Sequence, residues 1–227
     1  TNTTRLLPPI GGDSIFDVMQ RNISAATSHR ERTGEATLVH LNHPNLSYAI
    51  TAEDLMHVVG ENFFEVYNGH PSVNNGGDAQ HAGTERMWDI ILTLRLAELG
   101  EELMYGVATD DAHQYHERVK SKSNPGRGWV VVRAAKLTPE SIIEAMEAGD
   151  FYASTGVRLQ EVSSNGSELR VVIEPEKGVT HTTQFLGTRK NYDSRTEPVL
   201  DDAGNEVYAT RRYSDDVGEV LSEVKGN

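Results

Sequence analysis

Acidic residues and a histidine at the end of an apolar segment carry the strongest chemical signal in the chain. Residues 103–108 have the apolar character of a buried strand, and Asp110, Asp111 and His113 follow it closely. Carboxylate oxygens and imidazole nitrogens are the ligands of catalytic zinc and of related divalent metals. We therefore predict that Asp111 and His113 bind a metal ion. For Asp110 two roles stay open, as a helix N-cap or as an acceptor that supports a metal-bound imidazole.

A second polar segment lies upstream, in residues 39–45. His43, which precedes Pro44 there, is either a turn residue or a metal ligand, and we predict a ligand. His40 follows an apolar stretch, so it belongs either to the core or to the groups that support a ligand.

Three further residues are candidates for the walls of the same pocket. Glu65 and Asn68 lie in and directly after a predicted strand over residues 63–67, although Glu65 could equally face outward. Arg127 stands between two glycines. It is either a mobile surface residue or an anion clamp, because a guanidinium group binds phosphate oxygens in a bidentate manner.

The apolar pattern also predicts the elements that would position these side chains. Helical spacing predicts one helix over residues 14–32, with Asp13 as its N-cap, and another over residues 84–99. Short apolar segments predict strands over residues 36–40, 63–67, 103–108 and 129–135. Strands that alternate with helices indicate parallel β/α units, in which functional groups collect beyond the carboxyl ends of the strands. We therefore expect the polar segments to converge.

The pattern changes after about residue 157, where helical periodicity disappears. Alternating residues surround Asn165-Gly166, which is a strong hairpin signal, and further short strands follow. We expect residues 1–156 to form an α/β domain and residues 157–227 to form a small β-rich, sandwich-like domain.

Composition narrows the range of partners. The 227 residues carry a formal net charge of −13 and include no cysteine. This charge argues against nucleic acid as a partner, and the lack of cysteine excludes disulfides and thiolate ligands. No apolar run approaches the ~18 residues of a membrane span, which argues against a membrane protein. Small anionic substrates are compatible with this net charge, because bound metal ions would supply positive charge at the site.

The length is short for a closed barrel. Residues 1–156 supply about four or five β/α units, whereas a closed barrel of this class takes about 250 residues. The chain also begins with Thr1 instead of methionine. We therefore expect that further sequence precedes Thr1, and both a cytoplasmic and a secreted or periplasmic location stay open.

Several segments, taken in order, resemble the PHP superfamily, which is named after polymerase and histidinol phosphatase domains. More narrowly, they resemble the PHP-like metal-dependent phosphoesterases that carry a trailing β domain. The resemblance covers roughly residues 35–156. The segments that carry it are His43-Pro44-Asn45 after an apolar strand, and residues 65–68, 106–113, 126–129 and 144–154.

The resemblance implies a distorted (β/α)7 barrel with a multi-metal site, in which His43 and the pair Asp111 and His113 are ligands. The family's opening His-x-His motif does not occur in this chain. The resemblance therefore implies the C-terminal part of such a barrel, with the remaining ligands upstream of Thr1.

Together these observations predict a metal-dependent hydrolase that uses metal-activated water, with a small phosphate ester or another anionic molecule as substrate. Zinc, manganese or iron would suit the mixed ligands. We expect the 227-residue chain alone to be weakly active or inactive. The alternative is a non-catalytic binding or structural module with a relic metal pocket and a ligand-binding β domain.

Overall fold

The computed structural model describes residues 6–226. Its α-helices, in chain order, are α1 (Ile15–Thr33), α2 (Ala52–Met56), α3 (Thr84–Leu94) and α4 (Pro139–Glu147). The strands that precede residue 157 are β1 (Phe63–Asn68), β2 (Tyr105–Thr109), β3 (Trp129–Val132) and β4 (Phe151–Ser154). The later strands are β5 (Leu159–Ser164), β6 (Leu169–Ile173), β7 (His181–Gly187), β8 (Thr196–Glu197), β9 (Arg212–Tyr213) and β10 (Glu219–Gly226).

The N-cap of α1 is Ser14, so the prediction of Asp13 is wrong. Ser14 has an extended backbone, and its Oγ accepts a hydrogen bond from the Asp17 N–H at 3.1 Å. The helix thus begins one residue later than predicted, and the Ser14 hydroxyl satisfies one of its free N–H donors. Asp13 instead lies 3.9 Å from Arg21, about two turns further along the chain.

The long helix predicted over residues 84–99 is confirmed. It consists of α3 and a π-helical turn, Arg95–Leu99, and it ends at Gly100, which has a φ of 67°. Arg95 in the π turn is 1% exposed. Its guanidinium donates at 2.7–3.0 Å to three backbone carbonyls, those of Met56, Val58 and Glu102. The helix is thereby joined to the loops that precede β1 and β2.

Acidic side chains hold the segment before His43 to β1. They replace the backbone hydrogen bonds that would join two paired strands. β1 and β2 pair in parallel, but Leu41 alone adds a bridge to β1. The prediction of a strand over residues 36–40 is therefore wrong. The Leu41 N–H donates to the buried carboxylate of Glu61, and the His43 N–H donates to the carboxylate of Glu65. These donors would bind carbonyl oxygens in a regular sheet.

The second pair of strands is antiparallel, so the prediction of parallel β/α units is wrong for residues 129–154. Trp129 pairs with Ser154 and Val132 pairs with Phe151, although α4 lies between the two strands in the chain. β3 ends at Val132, short of the predicted end at residue 135. The sheets described in residues 6–226 each have two strands. These residues do not close a barrel, and the (β/α)7 barrel stays a prediction.

The strands after residue 157 form separate two-stranded sheets. β5 and β6 form the predicted hairpin, and Gly166 at its turn has a φ of 86°. β7 pairs with β10, and β8 pairs with β9, all antiparallel. A sandwich of these sheets stays a prediction.

The hydrophobic core extends across the predicted boundary at residue 157. Val217 is 1% exposed and packs in the same cluster as Ile90 of α3. The Ala52 N–H donates to the Thr210 hydroxyl at 2.9 Å. The change in secondary structure at residue 157 is therefore accompanied by packing between the two parts of the chain.

The core itself lies between α1, α2, α3 and β1. Its buried members are Met19, Ile23, Ala52, Leu55, Val58, Phe64, Met87, Ile90, Ile91, Leu94, Met104 and Val217. None of the helices in residues 6–226 combines the length and the apolar composition that a membrane crossing needs.

Candidate metal centre

A bulge in β1 places two polar side chains on the same side of the strand. The register between β1 and β2 shifts after Glu65, so that Val66 is an extra residue in β1. Residues 65 and 68 of a regular strand would face opposite sides of the sheet, because side chains alternate. Here the Asn68 amide donates to the Glu65 carboxylate at 2.9 Å. Bulges re-aim side chains in this way beside many active sites.

Glu65 is the centre of a hydrogen-bond network at the ends of the strands. It is 2% exposed, so it faces the interior. Its Oε1 accepts from the Thr109 hydroxyl at 2.6 Å, and its Oε2 accepts from the Asn68 amide and from the His43 backbone N–H. A buried carboxylate needs such donors to offset its lost hydration. Glu65 therefore ties the loop of His43 to both strands.

His40, for which a core position and a supporting role are both open, lies at the edge of this network. Its Nε2 is 3.9 Å from Oε1 of Glu65. Burial lowers the pKa of His40, and the negative charge of Glu65 opposes this effect only in part. The imidazole is therefore neutral at pH 7.

Asn68 connects the network to Asp111. Its amide nitrogen is 3.4 Å from Oδ2 of Asp111. The backbone of Asn68 exchanges two hydrogen bonds with the side chain of Asn75, at 3.0 and 2.8 Å. Its Oδ1 accepts from the His70 N–H at 2.8 Å. Asn68 is thus fixed through both its backbone and its side chain, and it holds the Asp111 carboxylate beside Glu65.

Two of the three predicted metal ligands share an uncommon backbone conformation. φ is 34° at His43 and 47° at Asp111. This left-handed region costs a residue with a Cβ about 1–2 kcal/mol. Such strain persists only where the surroundings impose it, and it concentrates at functional sites. Here the His43 N–H is bound by Glu65, and the Asp111 carbonyl accepts from Ser123 and lies against the His113 ring.

His113 presents a free ring nitrogen to solvent. Its Nδ1 lies 2.7 Å from the Asp111 carbonyl oxygen, which can only accept. In the neutral ring Nδ1 therefore carries the proton, and Nε2 keeps its lone pair. The side chain is 64% exposed, and Nδ1 lies 3.7 Å from Oδ1 of Asp111. An imidazole that donates through one nitrogen to a carbonyl has the tautomer found in metal-bound histidines.

Asp110 organises the loop that follows. Its Oδ1 accepts from the backbone N–H groups of Arg127 and Gly128, at 2.6 and 2.9 Å. Burial raises the pKa of Asp110, but hydrogen bonds from the backbone of residues 126–128 and the charge of Arg127 outweigh burial and lower it. No helix begins within residues 110–128, so the alternative of a helix N-cap is wrong. Asp110 has a supporting role that differs from the predicted one, because it binds a loop.

The Arg127 side chain is committed to the same loops. Its guanidinium donates to the carbonyls of Gly69, Val119 and Lys120, at 2.9–3.2 Å. It is therefore not a mobile surface residue. Binding of a phosphate by Arg127 would require these hydrogen bonds to break, so its contacts favour an anchoring role.

The predicted ligands converge only in part. Asp111 and His113 are neighbours, and Glu65 and Asn68 join Asp111 to the backbone of His43. Within residues 6–226, however, no three histidine or acidic side chains come close enough to hold a metal ion. Catalytic zinc takes three protein ligands. Asp111 and His113 could therefore supply two protein ligands, and water or a substrate would have to fill the remaining positions.

Two residues that contribute to this site were not predicted from the sequence. Thr109 had a usable signal, since it ends β2 directly before the acidic pair. Ser123 had none, because it reaches the site through a loop; its carbonyl accepts from the His113 N–H at 3.0 Å and its hydroxyl donates to the Asp111 carbonyl.

Comparison of the chain with protein-family models, with curated proteins and with solved structures gave no match.

Proposed function

We propose that the site around Glu65, Asp111 and His113 belongs to a metal-dependent hydrolase of small phosphate esters or related anionic molecules. The observation that supports this most is the network of Glu65. One buried carboxylate ties together the loops of His43, Asn68 and, through Asn68, Asp111. Apolar side chains could fill the same space without hydrogen-bond partners, whereas each buried polar group needs one. The network is therefore better explained by function than by stability.

The described residues have separate roles in this proposal. The Asp111 carboxylate and Nε2 of His113 are the ligand pair, and Glu65 and Asn68 hold that pair in position. His70 meets His113 edge-on, with ring centroids 5.6 Å apart. Nδ1 of His70 accepts from the Ser72 N–H at 3.2 Å, which leaves Nε2–H of the neutral ring as a donor. It is the group placed to donate a hydrogen bond to a substrate oxygen.

A divalent ion bound there would lower the pKa of a water molecule and neutralise charge on the phosphoryl oxygens. Zinc, manganese and iron all accept mixed imidazole and carboxylate ligands. The remaining coordination positions would be filled by water and by the substrate itself.

A non-catalytic binding module is the second candidate. Two observations favour it: the described residues lack a three-ligand group, and Arg127 is engaged with backbone carbonyls. In this alternative the Glu65 network is a structural clamp, and ligand binding belongs to the C-terminal strands.

Calorimetric titration of the 227-residue chain with Zn²⁺ and with Mn²⁺ separates the two candidates. We expect binding that His113→Ala weakens at least about tenfold, because even outer-shell partners are worth about 10- to 100-fold. His116→Ala is the matched control, since His116 is exposed in the same loop, and it should bind like the wild type. Metal-dependent hydrolysis of p-nitrophenyl phosphate should be weak and lost in His113→Ala. The hydrolase proposal fails if no metal binds, or if both variants bind equally well.

A further inference from the structure

A second cavity lies between α3 with its π turn and the loop after β7. Its volume is about 600 Å³, within the range of about 300–1,000 Å³ typical of small-molecule sites. Leu92, Leu96 and Ala97 form one wall, and Leu186 faces them. Leu96 and Leu186 are each more than half exposed, at 53% and 52%. Two large apolar side chains thus face water across an open cavity.

One acidic side chain, Asp89, stands in this apolar wall. It is partly buried, and no described residue in 6–226 donates a hydrogen bond to its carboxylate or pairs with it as a salt bridge. Its neighbour is the backbone of Gly218, where a Cβ would overlap the carboxylate. The glycine thus leaves room for an acidic group that has no partner in the described part of the protein.

Basic groups near Asp89 are engaged elsewhere or lie at the mouth of the cavity. The guanidinium of Arg86 donates to the carbonyls of Tyr213 and Ser214, at 3.1 and 2.8 Å. At the mouth, Arg189 is paired with Glu219 at 2.6 Å. Lys190 is exposed beside it. The cavity therefore contains a carboxylate that lacks a hydrogen-bond donor among the described residues. The charge of Arg86 compensates it only in part, and Lys190 adds a positive charge at the rim.

We propose that this cavity binds a small organic amine, with its ammonium group on Asp89 and its hydrocarbon body against Leu92, Leu96 and Leu186. The charge of the ligand complements Asp89, and its apolar body covers the exposed leucines. An acid would place its carboxylate against Asp89, and a neutral alcohol would leave the charge of Asp89 unpaired. This inference is independent of the proposed hydrolase.

The ionisation of Asp89 agrees with this geometry. Burial raises the pKa of Asp89 to about 6, the charge of Arg86 opposes the rise, and Glu85 adds to it. The carboxylate is thus ionised at pH 7.5 but poorly compensated, and an ammonium ligand would relieve that cost.

Titration of the chain at pH 7.5 with n-hexylammonium, followed by NMR, tests the proposal. Hexan-1-ol and hexanoate serve as probes of the same length. We expect hexylammonium to bind with a Kd of about 1 mM or tighter. Asp89→Asn should weaken it about 10- to 100-fold, the usual effect of a hydrogen bond to a charged group. Glu85→Gln removes the same charge from α3 outside the cavity, and it should leave the Kd within about twofold.

Ala97→Phe provides a second variant, because it narrows the cavity without touching Asp89. It should weaken hexylammonium while circular dichroism stays that of the wild type. The proposal is overturned if hexanol or hexanoate binds as tightly as hexylammonium. It is also overturned if Asp89→Asn or Ala97→Phe folds and binds hexylammonium with the wild-type Kd.

Discussion

Glu61 should make the stability of this protein fall as the pH rises. Its side chain is 1% exposed, and it accepts a hydrogen bond from the Leu41 N–H. Burial raises the pKa of Glu61 from 4.5 to about 7, although the Leu41 hydrogen bond and the charge of Arg95 both lower it. The folded state therefore binds this proton more tightly than the unfolded state. Its contribution to stability is complete below pH 4.5 and is lost as the pH rises through 7.

The size of the effect follows from the two pKa values. Each pKa unit corresponds to about 1.4 kcal/mol, so the wild type should lose about 3 kcal/mol of unfolding free energy between pH 4.5 and pH 8 through this group alone. Asp89, with its pKa raised to about 6, contributes in the same direction. Glu61→Gln carries no titrating group at this position, so the difference between the wild type and this variant isolates Glu61.

Urea denaturation followed by circular dichroism at pH 5, 6, 7 and 8 measures this difference. The free energy of unfolding of Glu61→Gln, relative to the wild type, should rise by about 2.5 kcal/mol over that range. Glu168→Gln, which removes an exposed carboxylate from the β5–β6 turn, should show no such change. Parallel pH profiles for the wild type and Glu61→Gln would refute the assignment of a desolvated carboxyl group.

Two further predictions concern the candidate metal centre, and both are measured as free energies of unfolding in urea. Glu65→Ala leaves the Thr109 hydroxyl and the His43 N–H without their acceptor, so stability should fall by at least about 1–3 kcal/mol; an unchanged value would mean that the Glu65 network does not hold the loops. Gly128→Ala places a Cβ 2.7 Å from the Thr109 carbonyl oxygen and should cost about 1–3 kcal/mol. Its control, Gly156→Ala, meets nothing within 4 Å and should stay close to the wild type, so equal effects of the two alanines would contradict the close approach of the loops.

The sequence was informative where a local pattern decides the structure. The spacing of apolar residues predicted the helix over residues 84–99, although one turn of it is π-helical. Polar residues at the ends of apolar segments indicated which loops would meet, because strand ends gather at one edge of a sheet. The hairpin at Asn165-Gly166 followed from turn chemistry alone.

Predictions failed where a side chain at long range replaced a local rule. The segment over residues 36–40 has the composition of a strand, but Glu61 and Glu65 bind the N–H groups that follow it. The direction of Glu65 depended on the bulge at Val66, which has no signature in the sequence. For Arg127 the sequence left a mobile side chain and an anion clamp open, and only the folded loops supply the carbonyls that bind it. Each case includes a contact between residues 20 or more positions apart, such as that of Arg127 with Gly69, which periodicity cannot reveal.

Nitrogen-15 NMR of the histidine-labelled chain during addition of Zn²⁺ tests the central claim most directly. We predict that Nε2 of His113 shifts on metal binding while its Nδ1 keeps the proton that faces the Asp111 carbonyl, and that the resonances of His116 do not change. Asp111→Asn should shift the response of His113 to higher Zn²⁺ concentration. An unchanged His113 at saturating Zn²⁺, or an equal response from His116, would contradict a metal site at Asp111 and His113.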